Sequence, residues 1–206
     1  MNRPVLSAAF LIAFVVLGNV VSHRPPSGVD LAAYAALYGH GVPVAVVFTQ
    51  LGRFPEYAAL CALALVFGIV RRAWLARSLT SIVVLLGAWR ISDAYKDHFM
   101  RARPEHQLVF QEPTFSFASG HAALALTFYG GWALLAWRTD LPRRARIGIV
   151  TAAGAVVLAI SWSRLALGAH YLTDVVGGLL LGATFVTVLD TVTRARTDEL
   201  RNPFAR

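Results

Sequence analysis

The sequence holds one cysteine, Cys61, in 206 residues. An internal disulfide is excluded, and so is a zinc site built on cysteine pairs. Charge is also scarce. Asp, Glu, Lys and Arg make up 15% of the chain, against about 25% in an ordinary soluble domain. Acidic residues are the rarer sign, 11 against 19 basic, which leaves a formal charge of +8. Such a surplus can serve nucleic acid, but no Lys/Arg-rich helix or aromatic–basic interleaving is present. Nucleic acid is therefore not an expected partner. Internal repeats and low-complexity tracts are missing as well. What is abundant is apolar surface, at 57% of residues, and this points to a membrane protein. Cys61 lies in an apolar stretch and reads as a small hydrophobe.

A membrane-spanning helix needs about 20 mostly apolar residues, with a range of about 17–25. Six stretches reach or approach that length: 5–22, 54–70, 78–95, 121–137, 147–162 and 171–189. The first follows Arg3 and resembles a signal peptide, but Val20 stands where a cleavage site favours Ala, so an uncleaved span is expected. Residues 29–53 are less apolar and are broken by Gly39, Gly41 and Pro43. They read as two short amphipathic segments lying at the membrane surface. The expected fold is all-α: one integral membrane domain over 1–206, a six-helix transmembrane bundle with that surface segment between spans one and two.

Basic residues favour the cytoplasmic side of a membrane. With the N-terminus inside, Arg3, Arg71, Arg72, Arg77, Arg138, Arg143, Arg144, Arg146, Arg194, Arg196, Arg201 and Arg206 all fall inside. Both termini are therefore expected in the cytoplasm. A bacterial inner membrane is the expected location, given the small size, the minimal loops and no visible sorting signal.

The outer ends of spans three to six carry an unusual set of polar residues. Lys96 and Arg103-Pro104 follow span three. Ser119-Gly120-His121 opens span four. Ser163-Arg164, His170 and Asp174 join spans five and six. Charge near hydrocarbon is costly, so a cluster at one membrane level suggests function. Lys96, Arg103 and Arg164 offer three positive charges, and guanidinium groups suit phosphate oxygens. Ser119 and Gly120 precede a helix, where free N–H groups favour an anion. His121 can act as acid or base. His170 and Asp174, four apart, would share a helix face, and the carboxylate could orient the imidazole.

These motifs, Lys96-x6-Arg103-Pro104, Ser119-Gly120-His121 and Ser163-Arg164-x5-His170-x3-Asp174, resemble those of the type 2 phosphatidic acid phosphatase family, which is related to vanadium haloperoxidases. The likeness covers about residues 29–192, with the motif-bearing core at about 78–192, and takes in the Leu51-Gly52 turn. One departure is Ala118, where the family usually has proline before Ser-Gly-His. It implies weaker preorganisation of the helix start.

The resemblance implies a mechanism. His170 attacks phosphorus and forms a phosphohistidine, Asp174 orients His170, and His121 protonates the leaving oxygen and then activates water. Lys96, Arg103, Ser119, Gly120 and Arg164 hold the phosphate. No metal and no cofactor are expected. The partners are a membrane lipid phosphate and the bilayer, with the site at the outer, periplasmic face. Undecaprenyl or another polyprenyl pyrophosphate is the first-choice substrate. Phosphatidylglycerophosphate and phosphatidic acid follow. A lipid phosphotransferase, for example to lipid A, and a non-catalytic lipid-binding or transport protein are the other readings. His98, Arg101, Glu105 and His106 flank the phosphate loop and are candidates for headgroup contact. Arg90 and Asp93 are expected to pair. Gly177, Gly178 and Gly182 are expected to serve tight helix packing.

Overall fold

The structure, a computed structural model, describes residues 2–109 and 111–201, with side chains through residue 195. Every regular element among them is helical. In order they are α1 (Arg3–Val21), α2 (Gly28–Leu37), α3 (Val42–Gln50), α4 (Phe54–Val70), a 3-10 turn (Arg72–Trp74) and α5 (Leu75–Phe99). After a long loop come α6 (Gly120–Ala125), a π-helical turn (Leu126–Gly130), α7 (Gly131–Trp137), α8 (Arg143–Ala166) and α9 (Leu172–Arg201). Pro4, Pro43 and Pro55 sit in the first turns of α1, α3 and α4, where the missing N–H costs nothing.

By length and apolar content, four helices can cross a bilayer: α1, Arg72–Phe99, α8 and the Leu172–Ala195 part of α9. Helices α2 and α3 make a fifth only if they are taken as one broken span, and they bend by 111°. The break falls at Gly39 and Gly41, whose φ of 77° and 63° glycine adopts easily. The expected six spans are thus not all visible in helix length. Helix α4 has 17 residues, and the fourth stretch is cut by its π turn. Boundaries also move. Helix α5 runs on to Phe99, so Lys96 projects from a helix rather than a loop. Of the expected basic tail, Arg206 and the side chains of Arg196 and Arg201 lie outside the described residues.

Helix α1 is fastened along α9. Ser7 Oγ lies 2.6 Å from Thr187 Oγ1, and Arg3 pairs with Asp190, which also pairs with Arg138. Phe14 of α1 is fully buried against Tyr95, Phe99 and Phe117, with ring centroids 4.9, 5.9 and 5.5 Å away. Phe117 and Ala118 lead straight into α6, so α1 braces the segment that starts that helix. Ala118 is itself fully buried in this cluster.

The small face of α9 admits α6 at close range. A Cβ on Gly178 would lie 2.4 Å from the Ser119 carbonyl oxygen, and one on Gly182 would lie 2.8 Å from that of Ala123. Gly177 receives the Phe117 ring in the same way. Both backbone contacts are rigid, so Gly178→Ala must push the helices apart and cost about 1–3 kcal/mol. Thermal unfolding in detergent should show a lower midpoint for Gly178→Ala. Gly148→Ala, whose Cβ would meet nothing within 4 Å, should not lower it. Equal midpoints for the two variants would contradict this packing.

Candidate active site

A cavity of about 390 Å³ opens where α3, α4, α5, α6 and α8 converge. Helix α5 contributes Ser92, Asp93 and Lys96, all within about one helical turn. The 100–119 loop contributes Arg103, Gln111, Glu112 and Pro113. Gly120, His121 and Leu124 come from α6, Arg164 from α8, and His170 from the α8–α9 turn. The α3–α4 turn closes the wall with Thr49, Gly52 and Arg53. Lys96, Arg103, Gly120, His121, Arg164 and His170 thus share one chamber, although their motifs are far apart in sequence. Ser119 and Asp174 stand behind them, both fully buried.

His170 is gripped on both ring nitrogens. Arg103 Nη1 lies 3.2 Å from Nε2. Guanidinium groups only donate, so Nε2 is the acceptor and the ring proton belongs on Nδ1. Nδ1 faces Ser116 Oγ at 3.4 Å and Asp174 Oδ2 at 3.6 Å. His170 does not lie on the helix with Asp174, as the i,i+4 spacing suggested. It precedes α9, and Asp174 sits in the first helical turn. There the Tyr171 N–H donates to Asp174 Oδ2 at 2.8 Å, and the Ser116 hydroxyl donates to the same oxygen at 2.5 Å. Burial pushes His170 well below the usual imidazole range, and the charges of Arg103, Arg164 and Lys96 push it further. A hydrogen bond with the Ser116 backbone opposes them without prevailing. Burial and the neighbouring cations thus both favour the neutral ring.

The cations are fixed by the loop. Arg103 donates to the carbonyls of Thr114, Phe115 and Ala169 at 2.6, 3.1 and 2.8 Å. Burial brings its guanidinium down to about 10, which still leaves it charged at neutral pH. Lys96 Nζ and Arg103 Nη2 both donate to Thr114 Oγ1, each at 3.1 Å. Arg164 donates to Thr49 Oγ1 at 2.6 Å and to Glu112 Oε1 at 2.7 Å. Burial pushes the Glu112 carboxyl up, but Arg164, Arg103 and Lys96 together outweigh it and hold it below the usual range.

His121 rests on the α3–α4 turn. A Cβ on Gly52 would lie 2.5 Å from its Cδ2. Its buried Nε2 makes no hydrogen bond within the protein. Ser119 differs from expectation in one respect. Its N–H is committed to the Asp174 carbonyl at 3.0 Å, so it ties α6 to α9 and is not free for an anion. The Ser119 hydroxyl is buried without a partner. Gly120 begins the helix, where first-turn N–H groups lack intrahelical partners.

Residues 74–198 match the model of the PAP2 superfamily. The chain belongs to the PAP2 superfamily. It is 24% identical over 188 residues to phosphatidylglycerophosphatase B of Bacillus subtilis (strain 168), an alignment covering 88% of this chain and 90% of that protein. Its fold resembles the crystal structure of a transmembrane PAP2-type phosphatidylglycerolphosphate phosphatase from Bacillus subtilis, with a TM-score of 0.80, 22% identity and coverage of 92% and 96%. It also resembles LpxE of Aquifex aeolicus, with a TM-score of 0.54, 20% identity and coverage of 88% and 94%.

Within this PAP2 fold, the four headgroup candidates fall elsewhere. His98, Glu105 and His106 are exposed and do not line the cavity. Arg101 is 4% exposed and pairs with Asp30 and Asp174, so it faces the interior rather than a lipid. Arg90 lies over the Trp89 ring at 5.8 Å instead of pairing with Asp93, which turns to the cavity. Thr49, Glu112, Ser92 and Ser116 went unnoticed in the sequence. Ser92 alone left a signal: it lies four residues before Lys96, on the same helix face. Its hydroxyl is buried without a partner in the chamber wall.

Gly52 yields a test. Gly52→Ala must move the His121 ring, and a displacement near 1 Å can cost about 10²-fold in rate. A fall of that order in kcat, with the unfolding midpoint near that of the parent, is the expected result. An unchanged kcat would separate the Gly52 contact from turnover.

Proposed function

We propose that this PAP2 protein is a membrane lipid phosphatase that removes a phosphate monoester through a phosphohistidine on His170. The carrying observation is the chamber itself. One neutral imidazole with its Nε2 lone pair held beside Arg103, a second imidazole, and three cations line a space of about 390 Å³. His170 Nε2 attacks phosphorus, a P–N bond forms and the ester P–O bond breaks. His121 gives its proton to the leaving alkoxide. Water then attacks phosphorus while His121 takes the proton, the P–N bond breaks and inorganic phosphate leaves. Lys96, Arg103, Arg164 and the Gly120 N–H stabilise the equatorial oxygens, with the unpartnered Ser119 hydroxyl just behind them.

Phosphatidylglycerophosphate is the substrate of choice, ahead of the polyprenyl pyrophosphate that the family resemblance put first. The curated relative above is a phosphatidylglycerophosphatase. Asp93 and Glu112 add two carboxylates to the same wall, which suits one phosphoryl group better than two. An apolar slot bounded by Tyr57, Cys61, Leu85 and Leu86 shares Phe54, Trp89 and Leu124 with the chamber. It supports a tail that lies between α4 and α5 while the headgroup reaches in sideways. Six spans are the reading that fits this placement, since the 17 residues of α4 lie within the spanning range. Both termini are then cytoplasmic and the chamber faces the periplasm of a bacterial inner membrane.

Purified protein with phosphatidylglycerophosphate in detergent micelles should release phosphate in EDTA. The rate should exceed that on undecaprenyl pyrophosphate, and His170→Ala should abolish it. Strict need for a divalent ion, or full activity of His170→Ala, would overturn the mechanism. Faster turnover of the pyrophosphate would overturn the substrate order.

A further inference from the structure

Asp30 lies on α2, far from every motif, yet it is fully buried. Part of its role is local. It completes a capping box with Ser27, accepting from the Ser27 N–H at 3.2 Å and hydroxyl at 2.9 Å. A capping box needs no burial, however, and most of the Asp30 partners are distant in sequence. Thr173 donates to it from N–H at 2.9 Å and from its hydroxyl at 2.9 and 3.0 Å. Arg101 Nη2 donates to Asp30 Oδ2 at 2.8 Å. The other guanidinium nitrogen, Nη1, donates to Asp174 Oδ1 and to Thr173 Oγ1 at 2.7 Å. Arg101 is therefore clamped between two buried carboxylates, above the Tyr171 ring at 4.9 Å.

Charge counting shows what this arrangement does. Among the described residues, Asp174 is the one carboxylate paired with His170. A buried Arg101 bonded to Asp174 alone would cancel that charge. His170 would then face Arg103, Lys96 and Arg164 with no net anion behind it. With Asp30 on the far side of Arg101, the group Asp30–Arg101–Asp174 keeps one net negative charge. Arg101 is left to act as an orienting clamp rather than as the counter-ion of Asp174.

We infer that Asp30 is a positioning residue for the active site: by neutralising Arg101, it leaves the Asp174 charge to serve His170. The inference rests on the proposed role of His170 as nucleophile. Helix α2 thereby takes part in positioning the site, although Asp30 itself does not line the chamber. Substrate binding should be insensitive to Asp30, because Lys96, Arg103 and Arg164 hold the phosphate and none of them contacts it. The chemical step should be sensitive, because forming the phosphohistidine places positive charge on the imidazole.

Three variants, Asp30→Asn, Arg101→Gln and the double variant, are to be compared on phosphatidylglycerophosphate micelles, with His170→Ala and Asp174→Asn as controls. Asp30→Asn should lower kcat by about tenfold or more, with KM changed less than about twofold. Arg101→Gln should also lose activity, because it buries two facing carboxylates without compensation. The double variant removes one charge of each sign and should recover kcat to within about tenfold of the parent, a non-additivity that independent structural losses do not produce. If Asp30→Asn does not fold, the double variant decides alone. A kcat within that range supports the inference, and a loss equal to that of Asp174→Asn overturns it. A parent-like kcat in Asp30→Asn while His170→Ala is inactive removes the role of Asp30 and spares the nucleophile. An active His170→Ala removes the reading on which both depend. Equal losses that simply add in the double variant make Asp30 structural only.

Discussion

The arrangement turns on how one buried imidazole is held. His170 is almost wholly removed from solvent and surrounded by cations, a setting that disfavours a charged ring. Two contacts keep it usable. Arg103 fixes Nε2 toward the chamber, and the Ser116–Asp174 pair receives Nδ1. Much of the rest of the fold serves those contacts. The carbonyls of Thr114, Phe115 and Ala169 aim Arg103. The Tyr171 N–H and the first turn of α9 aim Asp174. Gly177 and Gly178 bring α6 close enough for the Ser119 N–H to reach the Asp174 carbonyl.

The peripheral helices belong to the same logic. Helix α1 looks dispensable in a motif-based view, yet Phe14 backs Phe117, and Phe117 leads into α6. The α2–α3 segment looks like a surface ornament, yet Thr49 takes a donor from Arg164, and Asp30 sits behind Arg101. A chamber assembled at one end of a bundle needs walls from every element that ends there. The bent α2–α3 pair supplies part of that wall through Thr49.

Much of this was readable in the sequence, for a definite reason. Lys96, Arg103, His121, Arg164, His170 and Asp174 are polar groups placed where apolar stretches end, and their spacings are those of a known motif set. The chamber contains all of them except Asp174, which stands directly behind His170. The misses share a different cause. Arg101 sits two residues from Arg103 and read as a headgroup contact, because nothing local reveals that its partners are at positions 30 and 174. Ser116 and Glu112 lie in a loop without periodicity, so only its three-dimensional path shows that they face His170 and Arg164. The i,i+4 spacing of His170 and Asp174 suggested one helix, but the chain turns at Gly168, with φ of 66°, and α9 starts only at Leu172. Composition could not foretell the π turn in the fourth stretch, because Leu126–Gly130 is as apolar as its neighbours.

The central claim is covalent chemistry at one nitrogen atom. The most direct test is rapid quench of the purified protein with phosphatidylglycerophosphate carrying a labelled phosphoryl group, followed by peptide mapping. Label should appear in the peptide containing His170 before free phosphate accumulates, stable in base and lost in acid, as a phosphoramidate must be. Label on another residue, or phosphate release in the first turnover with no labelled peptide at any quench time, would contradict the account.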